Sequence, residues 1–196
     1  MEDSEWEEKE VRRLASIVSD IGGDDAVALA WTGFALVWVC RDFDAGRSFA
    51  DKATAINSNL ASAWQARAFI NMNLGEHAVA LEQFARSSRL SPVGIDLYLA
   101  RGHAGLCWFF LGKDDEAARC AADAVNHLPG WVGGPLVSAM AHAFIGNMAE
   151  ASASMTKLRA QRPHLRLSNL SEQFVFRRPE DWTRLTAGLR LAGLPE

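Results

Sequence analysis

The sequence predicts an all-α fold, a stack of helix–turn–helix pairs of about 34 residues each. Three observations carry this reading. The stretch Ala61–Gly94, ASAWQARAFINMNLGEHAVALEQFARSSRLSPVG, places Trp64 fourth, Ala68 eighth and Gly75 fifteenth, with Ala80, Phe84 and Pro92 at places 20, 24 and 32. Gly75, Gly112 and Gly146 lie 37 and then 34 residues apart, and Pro92, Pro129 and Pro163 repeat the same two intervals. Two independent punctuation marks that slip by the same three residues define a repeat with one insertion. Strand signals are sparse: Ala, Leu, Arg and Glu dominate, and there is a single Tyr.

In chain order, residues 5–21 form a helix with Val11, Leu14, Ile17, Val18 and Ile21 on one face, stopped by Gly22–Gly23. Two readings of it stay open: the second helix of a repeat whose first helix lies upstream of Met1, or an N-terminal cap. A degenerate first repeat spans 28–60. Trp31, Phe34, Ala35 and Trp38 make one stripe facing inward, and Arg41–Asp44 turn into a second helix with Phe49, Ala53 and Ile56 inward. Trp31 to Ala53 is one residue shorter than Trp64 to Ser87, which predicts a tightened turn.

The second repeat, 61–94, puts Ala68 and Ala80 where paired helices touch. Small volume there lets two backbones approach within ~8–10 Å, with Trp64, Leu74, Leu81 and Phe84 around the contact. The third, 95–129, carries the insertion in Pro92–Tyr98, which lengthens its first helix. Gly105, Ala117 and Ala124 take its small places and Trp108 the large one. Arg101 stands where the second repeat has Trp64. The fourth, 130–163, opens on Gly133-Gly134-Pro135, with Ala139, Gly146 and Ala151 in register but Pro135 and Ser138 replacing larger residues. Residues 164–196 fall outside the period. Leu165, Leu167, Leu170 and Phe174 suggest a short helix. Pro179-Glu180-Asp181 then starts another, with Trp182, Leu185, Leu189 and Ala192 on one face and Gly193 at its end. A stack needs its last apolar face covered, so this segment is expected to cap it.

Bulk properties narrow the function. The 196 residues are 49% hydrophobic and 22% charged, a globular mixture, read as one domain. A net charge of −4 argues against non-specific nucleic-acid binding. Cys40, Cys107 and Cys120 form no Cys-x-x-Cys pair and read as buried helical thiols in a reducing cytoplasm. Ala26–Cys40 is apolar but shorter than the ~20 residues a bilayer span needs, and MEDSEWEEKE is acidic where a signal peptide is basic. Neither export nor membrane insertion is expected.

The four repeats resemble the tetratricopeptide family over about two-thirds of the chain, which implies a right-handed α-α superhelix of helix hairpins. The ending RLSNLSEQFVFRRPEDWTRLTAGLRLAGLPE and the inner segment RDFDAGRSFADKATAINSN are similar to bacterial proteins that carry such repeats behind another domain. In those relatives that domain is a class III adenylate or guanylate cyclase, or a winged-helix DNA-binding domain. The resemblance implies the C-terminal region of a larger signalling protein. The cyclase's own metal-binding and purine-recognition residues have no match here.

Such arrays bind peptides or proteins along a groove lined by fixed places on each first helix. By resemblance those places are Gln65, Phe69, Met72 and Asn73, then His103, Leu106, Phe109 and Phe110, then Leu136, Val137, Met140 and Phe144. The set does not make up the combination of Lys, Arg and Asn that clamps a peptide carboxylate. It is apolar, which implies an apolar helix or loop as ligand, from a partner or from the chain itself. Equally open is the reading that these side chains pack against neighbouring helices and expose little. A homodimer is a further expectation, resting on this groove and on Trp6 and Trp131 as exposed residues.

No catalytic constellation is legible. His103 and Cys107 stand at i, i+4, but a zinc site wants three or four ligands and no second pair has comparable spacing, so they read as core. Gly130–Pro135 lacks the Lys-Ser/Thr of a phosphate loop. Asp114-Asp115-Glu116 reads as a solvated helix start. Arg159, Arg162, Arg166, Arg177 and Arg178 oppose the acidic first ten residues, as a soluble face or as a polarity for head-to-tail packing. Neither a cofactor nor a metal is expected, and the chain itself is read as non-catalytic, serving protein binding.

Overall fold

The computed structural model describes residues 2–21 and 23–196, and among these no strand forms. Gly22, half of the predicted stop, lies outside the described residues. The chain divides into two compact units, residues 1–92 and 93–196. No described helix is long and apolar enough to cross a membrane.

The first unit holds α1 (Glu2–Ile21), α2 (Ala26–Trp38), α3 (Phe43–Ile56), α4 (Ala61–Leu74) and α5 (His77–Leu90). Asp25 caps α2 by accepting from the backbone N–H groups of Val27 and Ala28, and Asp42 caps α3 through Ala45 N–H. α2 pairs with α3 and α4 with α5, and α4 packs against both helices of the preceding pair. Leu29, Ala30, Ala53, Ala63 and Ala66 form a shared core. Ala68, Ala80 and Phe84 are buried at the α4–α5 contact, and Gly75 ends α4 in the left-handed region at φ 87°. Gly112 and Gly146 repeat that conformation at the same place in later pairs.

Two expectations for the first repeat fail. Trp31 and Trp38 are 56% and 44% exposed, and Ile56 is exposed too. The cause lies in how α2 meets α3. A Cβ on Gly33 would stand 2.7 Å from the Gly46 carbonyl, so the two helices approach through glycine. That contact points Gly33, Leu36 and Val37 into the pair. Trp31 and Trp38 then face away, while Phe34 stays half-buried against the shared core. The turn between the helices is Val39–Asp42, with Arg41 at φ 54°. Cys40 lies in this turn and not in a helix, its thiol directed at the Glu8 carbonyl at 3.7 Å.

The second unit holds α6 (Ile95–Phe110), α7 (Asp114–His127), α8 (Gly133–Phe144) and α9 (Met148–Gln161). A 3-10 turn (Leu167–Asn169), α10 (Leu170–Gln173) and α11 (Pro179–Leu191) follow. α6 runs 16 residues against 12–14 for α2, α4 and α8, which is where the insertion goes. Gly105 lets α6 and α7 touch, since a Cβ there would meet Cys120 at 3.0 Å. The tail covers apolar surface, but it does not continue the stack beyond α9. α11 crosses the first helices, α8 and α6, instead. Trp131, expected to be exposed, is half-buried. Its ring fills the space that a Cβ on Gly102 or Gly133 would occupy, edge-on to His103 at 5.0 Å.

Candidate functional site

The twelve groove places fall in both units. In the first, Phe69, Met72 and Asn73 are buried and Gln65 half-buried. Asn73 donates to the Phe69 carbonyl at 2.7 Å, so its amide serves the backbone of its own helix. Phe69 packs against Phe34 (ring centroids 4.4 Å) and Trp38 (5.9 Å), while Trp31 meets Phe34 edge-on at 5.8 Å. Val27, Trp31 and Trp38 thereby line an exposed apolar stripe on α2, with Phe34 and Phe69 behind it. Close by runs a polar chain: Arg47 donates to Asn71 at 2.7 Å and pairs with Glu76 at 2.5 Å, and Asn71 donates to Gln83 at 2.8 Å. Glu76 holds the Arg47 guanidinium above its ordinary range.

In the second unit Leu106, Phe109, Leu136, Val137 and Met140 are buried, His103 and Phe110 half-buried, and Phe144 is 37% exposed. Burial lowers His103 to about 4 and raises the Cys107 thiol well above its usual range, so both are neutral near pH 7. His103 lies against Trp131. No group of three His, Cys, Asp or Glu side chains fit for a metal converges among the described residues.

What covers Phe109 and Met140 is α11. Gly188 sits where a Cβ would be 3.0 Å from both the Met140 Cβ and the Phe109 ring, so glycine lets the helix lie close against both side chains. Four residues earlier, Arg184 lays its guanidinium over the Phe109 ring at 4.6 Å and the Phe144 ring at 4.3 Å. Its Nε donates to the Phe109 carbonyl at 2.6 Å, which also accepts from the Gly112 N–H at 3.0 Å in the turn that ends α6. Its Nη2 donates to Asp114 at 2.5 Å. The Arg184 side chain is 25% and Asp114 17% exposed, so Asp114 is not the solvated helix start expected of it. Leu185 and Leu189 on the same stripe are buried.

Sequence reasoning passed over Arg184 and Gly188, took Asp114 for a solvated helix start, and set Trp31 and Trp38 inward. The signal for Arg184 and Gly188 was present: a charge and a glycine stand directly beside Leu185 and Leu189 of the apolar stripe Trp182–Leu185–Leu189–Ala192. Arg101, in the large residue's place, reaches back to Asp123 on α7 at 3.0 Å. Arg166 donates to the Pro163 and Leu165 carbonyls, and Arg178 pairs with Glu180.

No protein-family model matches the chain, and no curated protein matches it significantly. Solved structures do. The crystal structure of MamA is similar at 15% identity and a TM-score of 0.61, covering 84% of this chain and 90% of that one. YrrB, described as a TPR protein with an unusual peptide-binding site, is similar at 15% identity and 0.58, covering 91% of both chains. The APC/C hetero-tetramer Cut9–Hcn1 gives 12% identity and 0.71, covering 94% of this chain and 33% of that one. At such identities the likeness speaks for the backbone alone, and it establishes an all-α fold built from helix hairpins of tetratricopeptide type.

Proposed function

We propose that the chain is a non-catalytic protein-interaction module, the regulatory or dimerising C-terminal region of a larger bacterial signalling protein such as a cytoplasmic class III nucleotide cyclase. The observation that carries this is the α2 stripe. Two tryptophans exposed by about half on one helix, backed by Phe34 and Phe69, form an apolar surface of the kind that marks contact sites. The peptide-binding site named for YrrB supports a binding role for this fold. The cyclase parent rests on the resemblance of the tail and the Arg41–Asn59 segment. The ligand of the stripe is an apolar segment of a protein, and a second copy of this chain is one source of it.

Sedimentation velocity from ~1 to ~100 μM tests the dimerising arm. Concentration-dependent growth that Trp31→Ala/Trp38→Ala abolishes is expected, and a strict monomer throughout would remove that arm. Calorimetry with ATP and GTP, with and without Mg²⁺ or Mn²⁺, tests the non-catalytic arm. Saturable micromolar binding would turn the reading towards a chain that handles nucleotide itself.

A further inference from the structure

Within the second unit α11 lies on α8 and α6. Its anchor is polar and directional: Arg184 makes one hydrogen bond to the Phe109 carbonyl, one ion pair to Asp114 and two ring contacts. Charged anchors of this kind fix register and partner choice more than they add stability. α11 packs on α8, α6 and the 3-10 turn, whereas every helix from α6 to α9 packs on its neighbour in sequence. Its far side is uncovered, with Thr183, Ala187, Arg190 and Leu191 all exposed. Residues 162–178, which lead to it, contain only a 3-10 turn and one four-residue helix.

We propose that the α6–α8 face is a receptor for an arginine-bearing amphipathic helix of a partner protein, and that α11 holds it in a self-occupied state. The partner's helix presents what α11 presents: an arginine, a leucine one place on, a glycine four places on and a second leucine five places on. The guanidinium enters between Phe109, Phe144 and Asp114, and the glycine lets the backbone lie on Met140. A partner gains the site only as α11 lifts, so the tail sets the threshold for binding. The proposal deepens the interaction-module reading and rests on it, yet it fails separately. Sedimentation reads association of whole chains through α2, whereas the experiment below reads whether α11 leaves its seat.

The probe is a fluorescent synthetic peptide carrying residues 178–193, titrated into the full chain and followed by anisotropy. Arg184→Ala in the chain loosens the resident helix, so the variant is expected to bind the peptide at least ~10-fold tighter than the unaltered chain does. The same peptide carrying Arg184→Ala, with Arg178 and Arg190 kept, is expected to lose that gain. Equal binding by both chains, or a gain that does not need Arg184 of the peptide, overturns the proposal. Hydrogen exchange on the unaltered chain supplies a reading free of any variant. Amides of α11 are expected to exchange at least ~10-fold faster than those of α8, through opening of the tail alone. Equal rates would mean that α11 leaves only as the whole unit unfolds, and would overturn the proposal even if Arg184→Ala fails to fold.

Discussion

Replacing Phe109 with alanine separates two descriptions of the first-helix face. On an open groove Phe109 would be presented to solvent, and its loss would weaken partner binding while sparing stability. Here the ring has no exposed surface. It touches Phe110 at 5.8 Å and Phe144 at 5.6 Å between centroids, carries the Arg184 guanidinium at 4.6 Å and lies under Gly188. Truncation removes the ring from a closed space and takes the seat from Arg184, which places it among the costlier core deletions, about 3–5 kcal/mol. That is a large share of the ~5–15 kcal/mol a folded domain has in total. Phe144→Ala, on a ring 37% exposed, should cost about 1–2 kcal/mol by the area it still buries. Urea unfolding followed by circular dichroism gives both values from one preparation. Equal midpoints for Phe109→Ala and Phe144→Ala would refute the reasoning, because they would mean that α11 does not enclose Phe109 in solution.

Ala80→Leu overpacks the α4–α5 contact, where Ala80 is fully buried, and should cost ~1–3 kcal/mol in the same assay. Gly102→Val would drive a side chain into the Trp131 ring, and it should lower the melting temperature and change the indole fluorescence. His103 titrates near 4 in the folded chain against an ordinary 6.5, because burial disfavours its charged form. The unfolded chain therefore binds the proton first. Stability should fall as pH drops from about 6.5 towards 4, level off below that, and lose this slope in His103→Gln, by up to ~3 kcal/mol in urea titrations. Asp42 is held below the usual carboxylate range by the Arg12 hydrogen bond and then by Ala45 N–H. Its contribution is complete above the ordinary carboxylate pKa and is lost as pH falls through the lowered one. Asp42→Ala, which also removes the α3 cap, should cost about 0.5–2 kcal/mol at pH 7 and less near pH 2.

The array was legible because its punctuation is steric. A left-handed residue after a first helix admits glycine readily, and close helix contacts admit little beyond alanine, so Gly75, Gly112, Gly146, Ala68, Ala80 and Ala117 had to appear at fixed intervals. Helix rotation was less legible. The stripe Trp31–Phe34–Trp38 and the adjacent Gly33–Val37 differ by one position on the wheel, and only the approach of Gly33 to Gly46 decides between them. The tail was legible as helix and as cover, but its seat depends on tertiary chemistry. Arg184 finds Asp114 and the Phe109 carbonyl across 70 and 75 residues, pairings that no local spacing encodes. The twelve groove places were carried over by resemblance, and resemblance does not say that the chain's own helix lies over Phe109 and Met140.

The seat of α11 is tested most directly by nuclear Overhauser contacts of the Gly188 α-protons in the isotopically labelled chain. The structure predicts strong contacts to the Met140 side chain and to the Phe109 ring, since both approach Gly188 within contact distance. Contacts from Gly188 to Met155 or Leu158 of α9 instead, with none to Met140 or Phe109, would place the tail on the end of the stack and contradict the account.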